Sequence, residues 1–142
     1  VPLSGGGLLS GVAAAVKALS PHVRVIGAEP AVLPRYAESL KAGRRVSVPE
    51  RDTLADALPA TEPGERNFPI IQACVDQVVG VGEAFIAEGV KLLLHKAKIL
   101  AEPSSAIGIG AVLAGLVPVK KGDNVCFVIS SGNVDANRIA NL

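Results

Sequence analysis

Val1-Pro2-Leu3-Ser4-Gly5-Gly6-Gly7-Leu8-Leu9-Ser10-Gly11-Val12 opens the chain with a short apolar stub, a polar turn of three consecutive glycines and the first turn of an Ala- and Val-rich stretch. Glycines at such a junction let the backbone approach a ligand closely with several N–H groups turned the same way, and the positive end of a following helix adds to the attraction for an anion. The turn therefore reads as a phosphate cradle, although glycine turns between strand and helix also occur for packing alone. Beyond it, Leu8, Leu9, Val12, Val16 and Leu19 recur at helical spacing until Ser20 and Pro21. Val23, Val25, Ile26 and Ala28 follow as a strand ending at Glu29. Strand, glycine turn, helix and strand within about 30 residues are the span of a βαβ unit on a parallel sheet.

The rest of the chain keeps the alternation. A helix is expected from about Val32 to Lys41, closed by Gly43, and a strand over residues 75–81. Further helices are expected over residues 83–96, with Phe85, Ile86, Val90, Leu93 and Leu94 on one side, and over 104–116. Residues 44–68 hold three of the ten prolines and many charges, so they read as a long surface excursion of the kind that carries function. Near the end, Val125, Cys126, Phe127, Val128 and Ile129 form a buried-looking run, expected as a strand that delivers the polar turn Ser130, Ser131, Gly132, Asn133. The fold class is α/β, a mostly parallel sheet flanked by helices, with no repeat and no second domain. Gly108 and Gly110, inside the last helix, each cost roughly 1 kcal/mol against Ala, which close packing or a bound ring would justify.

Composition narrows the function. The 142 residues are 49% hydrophobic and 19% charged, enough for one core. A net charge of +1 with signs interspersed, and 3% aromatic residues, argue against nucleic-acid binding. The apolar stretch 107–119 is too short for a bilayer and contains Pro118, so no membrane partner is expected. Cys74 and Cys126 have neither disulfide-framework nor zinc spacing, which suits a cytoplasmic protein. His22 and His95 sit in unremarkable settings, and Lys96, Lys98, Lys120 and Lys121 read as solvated surface. A dinucleotide site competes for the glycine turn, with Gly5 and Gly7 as two of its three glycines and Glu29 as a ribose-binding acid, but Ser10 stands where the third glycine belongs.

The ordered set of residues 1–11, Ile26-Gly27-Ala28-Glu29-Pro30, Thr53-Leu54-Ala55-Asp56-Ala57, Ala101-Glu102-Pro103-Ser104-Ser105-Ala106 and Ser130-Ser131-Gly132-Asn133-Val134-Asp135 resembles the threonine dehydratase and serine racemase family. These are pyridoxal phosphate enzymes of the tryptophan synthase β-subunit fold. The resemblance implies that Ser4, Gly5, Gly6, Gly7 and the Leu8 amide hold the cofactor phosphate, and that Ser130 meets the pyridine nitrogen. A hydroxyl there cannot keep that nitrogen protonated as a carboxylate does. Glu102 matches a glutamate near the cofactor ring, and reads equally as an acid at a helix N-terminus beside Pro103. Asn133 and Asp135 are cofactor neighbours or plain turn residues, and Ser104 and Ser105 are helix caps without assigned chemistry.

The resemblance also implies departures. Ser131 stands where the family usually has Gly. A divalent cation site of some members uses the glutamate matching Glu29, a carbonyl near Leu33 and an acid at the position of Arg35; a guanidinium there makes the expectation no metal. Residues 1–142 correspond to the C-terminal part of the large cofactor-binding domain, with the small domain and the Schiff-base lysine segment absent, so no catalytic residue is assigned and the piece alone is expected to be inactive. Its complete form would be a homo-oligomeric ammonia-lyase converting threonine or serine to a 2-oxo acid and ammonia. The alternatives are a serine racemase, a hydroxyaspartate dehydratase, or a non-catalytic truncated module. An open sheet edge would make the isolated piece self-associate.

Overall fold

In the computed structural model, which describes residues 1–140, the elements follow the order α1 (Gly7–Leu19), β1 (Ile26–Pro30), α2 (Arg35–Ala42), α3 (Asn67–Cys74), β2 (Gln77–Val81), α4 (Glu83–Leu92), a π-type turn (Leu93–Ala97), α5 (Pro103–Leu113) and α6 (Ala136–Ala140). β1 and β2 pair in parallel with Ala28 opposite Val79. The N-terminal stub adds a parallel bridge from Pro2 to Ala28, closed by Leu3 N–H to the Ala28 carbonyl and Ala28 N–H to the Val1 carbonyl, both at 2.9 Å. The stub, α1 and β1 are thus the βαβ unit expected from the opening residues.

Helices cover both faces of this sheet. On one side Leu3, Leu9, Ala13, Val25, Tyr36, Phe68 and Ile71 pack together from the stub, α1, α2 and α3. On the other, Ala28, Val79, Val81, Ile86, Ile107 and Ala111 join β1 and β2 to α4 and α5, and the excursion adds Ala55 and Leu58. Side chains alternate across a strand, so Ala28 faces α5 while a Cβ on Gly27 would meet Leu9 2.6 Å away on the opposite face. Lys17, in the last turn of α1, binds both carboxylate oxygens of Asp76 at 3.0 and 2.7 Å, while Val25 N–H donates to the same group at 2.6 Å. The hydrogen bond from Lys17, then that from Val25, holds the Asp76 carboxyl below the usual carboxylate range.

Several boundaries differ from expectation for local reasons. α2 starts at Arg35 rather than Val32, because Pro34 disfavours helical backbone at Leu33. Its end is as expected, with Gly43 in the left-handed region at φ 66°. α3 was not anticipated: Pro69 lies in its first turn, where a missing N–H costs nothing. α4 ends at Leu92 and continues as the π-type turn, which Lys98 terminates at φ 61°. The expected strand over residues 125–129 does not form. That run forms no regular element and makes no ladder with β1 or β2, Val125 and Phe127 are exposed, and only its end, at Ile129, packs on the cluster of Val90, Leu93, Ala106 and Ile109. An apolar run becomes a strand only beside a partner strand, and none among the described residues lies next to it.

Of the two helix glycines, Gly110 is needed for packing: a Cβ there would stand 2.6 Å from the Phe85 carbonyl of α4. Gly89 on α4 faces the Ala106 carbonyl as closely, so the two helices meet backbone to backbone. Gly108 meets only Phe127 at 3.6 Å, an ordinary contact that requires no glycine.

Candidate functional site

The glycine turn is held from behind. Gly5 offers its carbonyl to three donors: the Tyr36 hydroxyl at 2.9 Å, Asn67 Nδ2 at 3.0 Å and Gly64 N–H at 2.8 Å. Ser4 offers its carbonyl to Arg35 Nε at 3.2 Å, and the Gly6 carbonyl accepts from Ser10 N–H at 2.9 Å. Ser10 also donates its hydroxyl to the Gly7 carbonyl at 3.1 Å. A trans peptide sets C=O and N–H antiparallel, so fixing these carbonyls turns the N–H groups of Gly5, Gly6 and Gly7 outward. Among the described residues no protein acceptor takes the N–H of Gly5, Gly6, Gly7 or Leu8. They are the first donors of α1, at its positive end.

The three glycines have different duties. Gly6 has φ 99°, and a Cβ there would collide with the Tyr36 hydroxyl and stand 2.9 Å from Ile71, so it is required by conformation and by space. Gly5 and Gly7 have no protein atom within 4 Å of a would-be Cβ. Open space in front of free N–H groups fits an oxyanion such as a phosphate.

Behind the turn lies a buried charged pair. Glu29 accepts Tyr36 N–H at 3.0 Å and Ala37 N–H at 2.9 Å, and its carboxylate lies 3.9 Å from Arg35 Nε, both side chains being wholly buried. Burial pushes the Glu29 carboxyl up, against the pull of those two N–H bonds and the Arg35 guanidinium, and burial pushes Arg35 down. Desolvation raises Tyr36 to about 12, so its hydroxyl stays protonated as a donor to Gly5. The Glu29 carboxylate is thus committed inside the protein and is not presented to a ribose. Arg35 also donates to the Leu33 carbonyl at 3.1 Å, so its guanidinium fills the place between Glu29 and Leu33.

The second corner is built at the N-terminus of α5. Ser105, 1% exposed, lies 3.1 Å from the Ser130 hydroxyl and accepts Ser131 N–H at 2.8 Å, while Glu102 N–H donates to the Ser131 carbonyl at 3.3 Å. Ser105 is therefore more than a cap: it sets the turn that carries Ser130. Glu102 precedes α5 in extended backbone and is buried, and among the described residues no hydrogen bond or ion pair engages its carboxylate. Ser131 has no left-handed backbone, which is why a serine is accepted there; the tight position is Gly132, whose Cβ would stand 2.8 Å from the Leu100 carbonyl. Asp135 is explained by the turn reading, since it accepts Asn137 N–H at 2.7 Å at the start of α6. Asn133 N–H donates to the Ser131 hydroxyl at 3.2 Å, again a turn contact. His22, His95 and the four lysines are exposed. No group of three His, Cys, Asp or Glu able to hold a metal occurs among the described residues.

The excursion joins the two corners. Glu83, at the start of α4, accepts the Thr53 hydroxyl at 2.8 Å and Leu54 N–H at 2.6 Å. Ala57 N–H then donates to the Ser104 hydroxyl at 2.9 Å, and Ala60 N–H to the Ser4 hydroxyl at 3.4 Å. The segment read as a surface loop is thus a strap from α5 to the glycine turn. Sequence reasoning missed Gly64, Asn67, Tyr36 and Ser10 as supports of the turn. Only the position of Gly64 and Asn67 in the functional-looking excursion hinted at them.

Parallel strands with helices on both faces, and a glycine turn between the N-terminal stub and the first helix, define an α/β protein. Residues 1–131 match the family model for the pyridoxal-phosphate dependent enzymes, and the chain belongs to that family, whose cofactor is pyridoxal phosphate. It is 42% identical over 139 residues, 98% of the chain, to an L-threonine ammonia-lyase of Thermotoga maritima, of which it covers 34%. It is 40% identical over 139 residues to a serine racemase of Arabidopsis thaliana, covering 95% of this chain and 42% of the relative. The solved structure of maize serine racemase superimposes with a TM-score of 0.89 at 35% identity, over 99% of this chain and 44% of that one. The chain therefore spans less than half the length of these relatives.

Proposed function

We propose that this chain is the C-terminal part of the large cofactor-binding domain of a pyridoxal-phosphate-dependent ammonia-lyase, acting on threonine or serine to give a 2-oxo acid and ammonia. The observation that carries the reading is the row of outward N–H groups at Gly5, Gly6, Gly7 and Leu8, with their carbonyls bound behind them. Ser4, Gly5, Gly6, Gly7 and Leu8 would hold the phosphate, Ser130 would face the pyridine nitrogen, and Glu102 would stand beside the ring. When bound, the cofactor supplies the electron sink for loss of the α-proton and the β-hydroxyl.

This chain's own residues would bind and orient. The backbone N–H groups meet a dianion without any side-chain cation in contact, aided by the positive end of α1. Ser130, tied to the Ser105 hydroxyl, offers a neutral hydroxyl to a ring nitrogen. The lysine that carries the cofactor and the domain that closes over substrate would come from chain outside these residues, so the 142-residue piece alone is proposed to be inactive. The complete protein would be a cytoplasmic homo-oligomer without a metal, the guanidinium of Arg35 standing in that place.

Assaying the full-length protein with threonine, serine and 3-hydroxyaspartate tests this reading. Formation of 2-oxobutanoate from threonine is expected, and absence of any 2-oxo acid would overturn it. Serine racemase is the second reading, favoured by the 40% identity to the Arabidopsis enzyme, and D-serine as the main product from L-serine would select it.

A further inference from the structure

Arg35 is the largest wholly buried side chain, and its guanidinium is spent almost entirely on backbone. Nε donates to the Ser4 carbonyl at 3.2 Å, Nη1 to the Leu33 carbonyl at 3.1 Å and Nη2 to the Leu3 carbonyl, with the Glu29 carboxylate 3.9 Å from Nε. A carboxylate with three carbonyls is an oxygen set suited to a hard cation. Here the cation is covalently attached to α2 and shaped as a planar fork, which reaches the carbonyls of two successive residues at once.

Those two residues lead straight into the glycine turn. The Ser4 carbonyl and the Gly5 N–H belong to one planar peptide, so the bond from Arg35 Nε directs the Gly5 N–H to the other side. Tyr36, the next residue on α2, does the same for the following peptide by donating to the Gly5 carbonyl, and the Gly6 N–H is turned outward. Consecutive residues of one helix thus set consecutive donors. Burying an arginine is costly, and a core of packed apolar groups would serve stability as well or better. The expense makes sense if the direction of the donors is what it secures.

We propose that Arg35 is a positioning residue for anion binding, its guanidinium acting through the Leu3 and Ser4 carbonyls to aim the N–H groups of the glycine turn at the cofactor phosphate. This rests on the phosphate-site reading given above. The effect is specific to the phosphate, because the polar contacts of Arg35 are the Leu3 and Ser4 carbonyls leading into the turn, the Leu33 carbonyl and the Glu29 carboxylate, none of them at Ser130 or Glu102.

The test compares affinities of the full-length protein for pyridoxal phosphate and for pyridoxal, which lacks the phosphate, by equilibrium dialysis. In Arg35→Ala the preference for the phosphorylated form is expected to fall about tenfold, and in Arg35→Lys, which keeps the charge and loses the fork, about threefold. Millimolar methylguanidinium is expected to restore part of the preference in Arg35→Ala alone. A preference unchanged in both variants, whatever the loss of thermal stability, would overturn the proposal; should Arg35→Ala fail to fold, Arg35→Lys decides by the same criterion. A wild-type protein that does not distinguish pyridoxal phosphate from pyridoxal would overturn the phosphate-site reading, and this one with it.

Discussion

Gly5, Gly6 and Gly7 are adjacent and chemically identical, yet their surroundings assign them opposite behaviour under mutation. Gly6→Ala must hold a Cβ at φ 99° against the Tyr36 hydroxyl and is expected to cost about 2–4 kcal/mol, measured by denaturant unfolding. Gly7→Ala meets no protein atom within 4 Å and is expected to leave stability within about 0.5 kcal/mol while weakening pyridoxal phosphate binding about tenfold. Equal losses of stability in the two variants would show that the space before Gly7 is not a ligand's. Glu29 is a third case: Glu29→Gln leaves Arg35 buried without a counter-charge, and a loss of about 3–5 kcal/mol is expected by the same unfolding measurement.

Between elements, two contacts set how α1 and the α4–α5 pair sit on the sheet. Lys17 and Asp76 tie the last turn of α1 to the segment entering β2, and the depressed carboxyl of Asp76 fixes the sign of a pH effect. A folded carboxyl held below its unfolded value contributes stability above the unfolded pKa and loses that contribution as pH falls through the folded one. Asp76→Asn is therefore expected to destabilise by about 0.5–1 kcal/mol at pH 7, a figure kept small for a partly exposed pair, and by nearly nothing at pH 2. Thermal melts of both proteins across that range check it. At the helix crossing, Gly110→Ala would gain roughly 1 kcal/mol of helix propensity yet force α5 away from the Phe85 carbonyl. A net loss of stability is expected, and a net gain would show that the crossing relaxes freely.

For the molecule as a whole, the two-stranded sheet and its helices leave Ile99, Leu100, Leu113, Val119 and Val125 each more than 40% exposed. A polypeptide of these 142 residues is expected to self-associate in sedimentation velocity, and a clean monomer at micromolar concentration would contradict that. The strap from Glu83 through Ser104 to Ser4 links the two corners by hydrogen bonds. Much of this organisation can be read along the chain: the glycine turn, the βαβ unit, the Gly43 stop and the α5 start at Pro103 each rest on chemistry within a few neighbouring residues. Chemistry of that range is stated by sequence spacing alone, since turns, caps and periodicity involve no distant partner. The failures share the opposite character. Whether residues 125–129 become a strand depends on a neighbouring strand, and whether residues 44–68 are a loop or a strap depends on where Glu83, Ser104 and Ser4 end up. The same holds for Arg35, Tyr36 and Asn67, which lie 31 to 62 residues from the carbonyls they hold and carry no local mark of that duty. Local steric and hydrogen-bonding rules placed the glycine turn, but the outward direction of its N–H groups was set by donors to its carbonyls that only long-range packing could bring behind it.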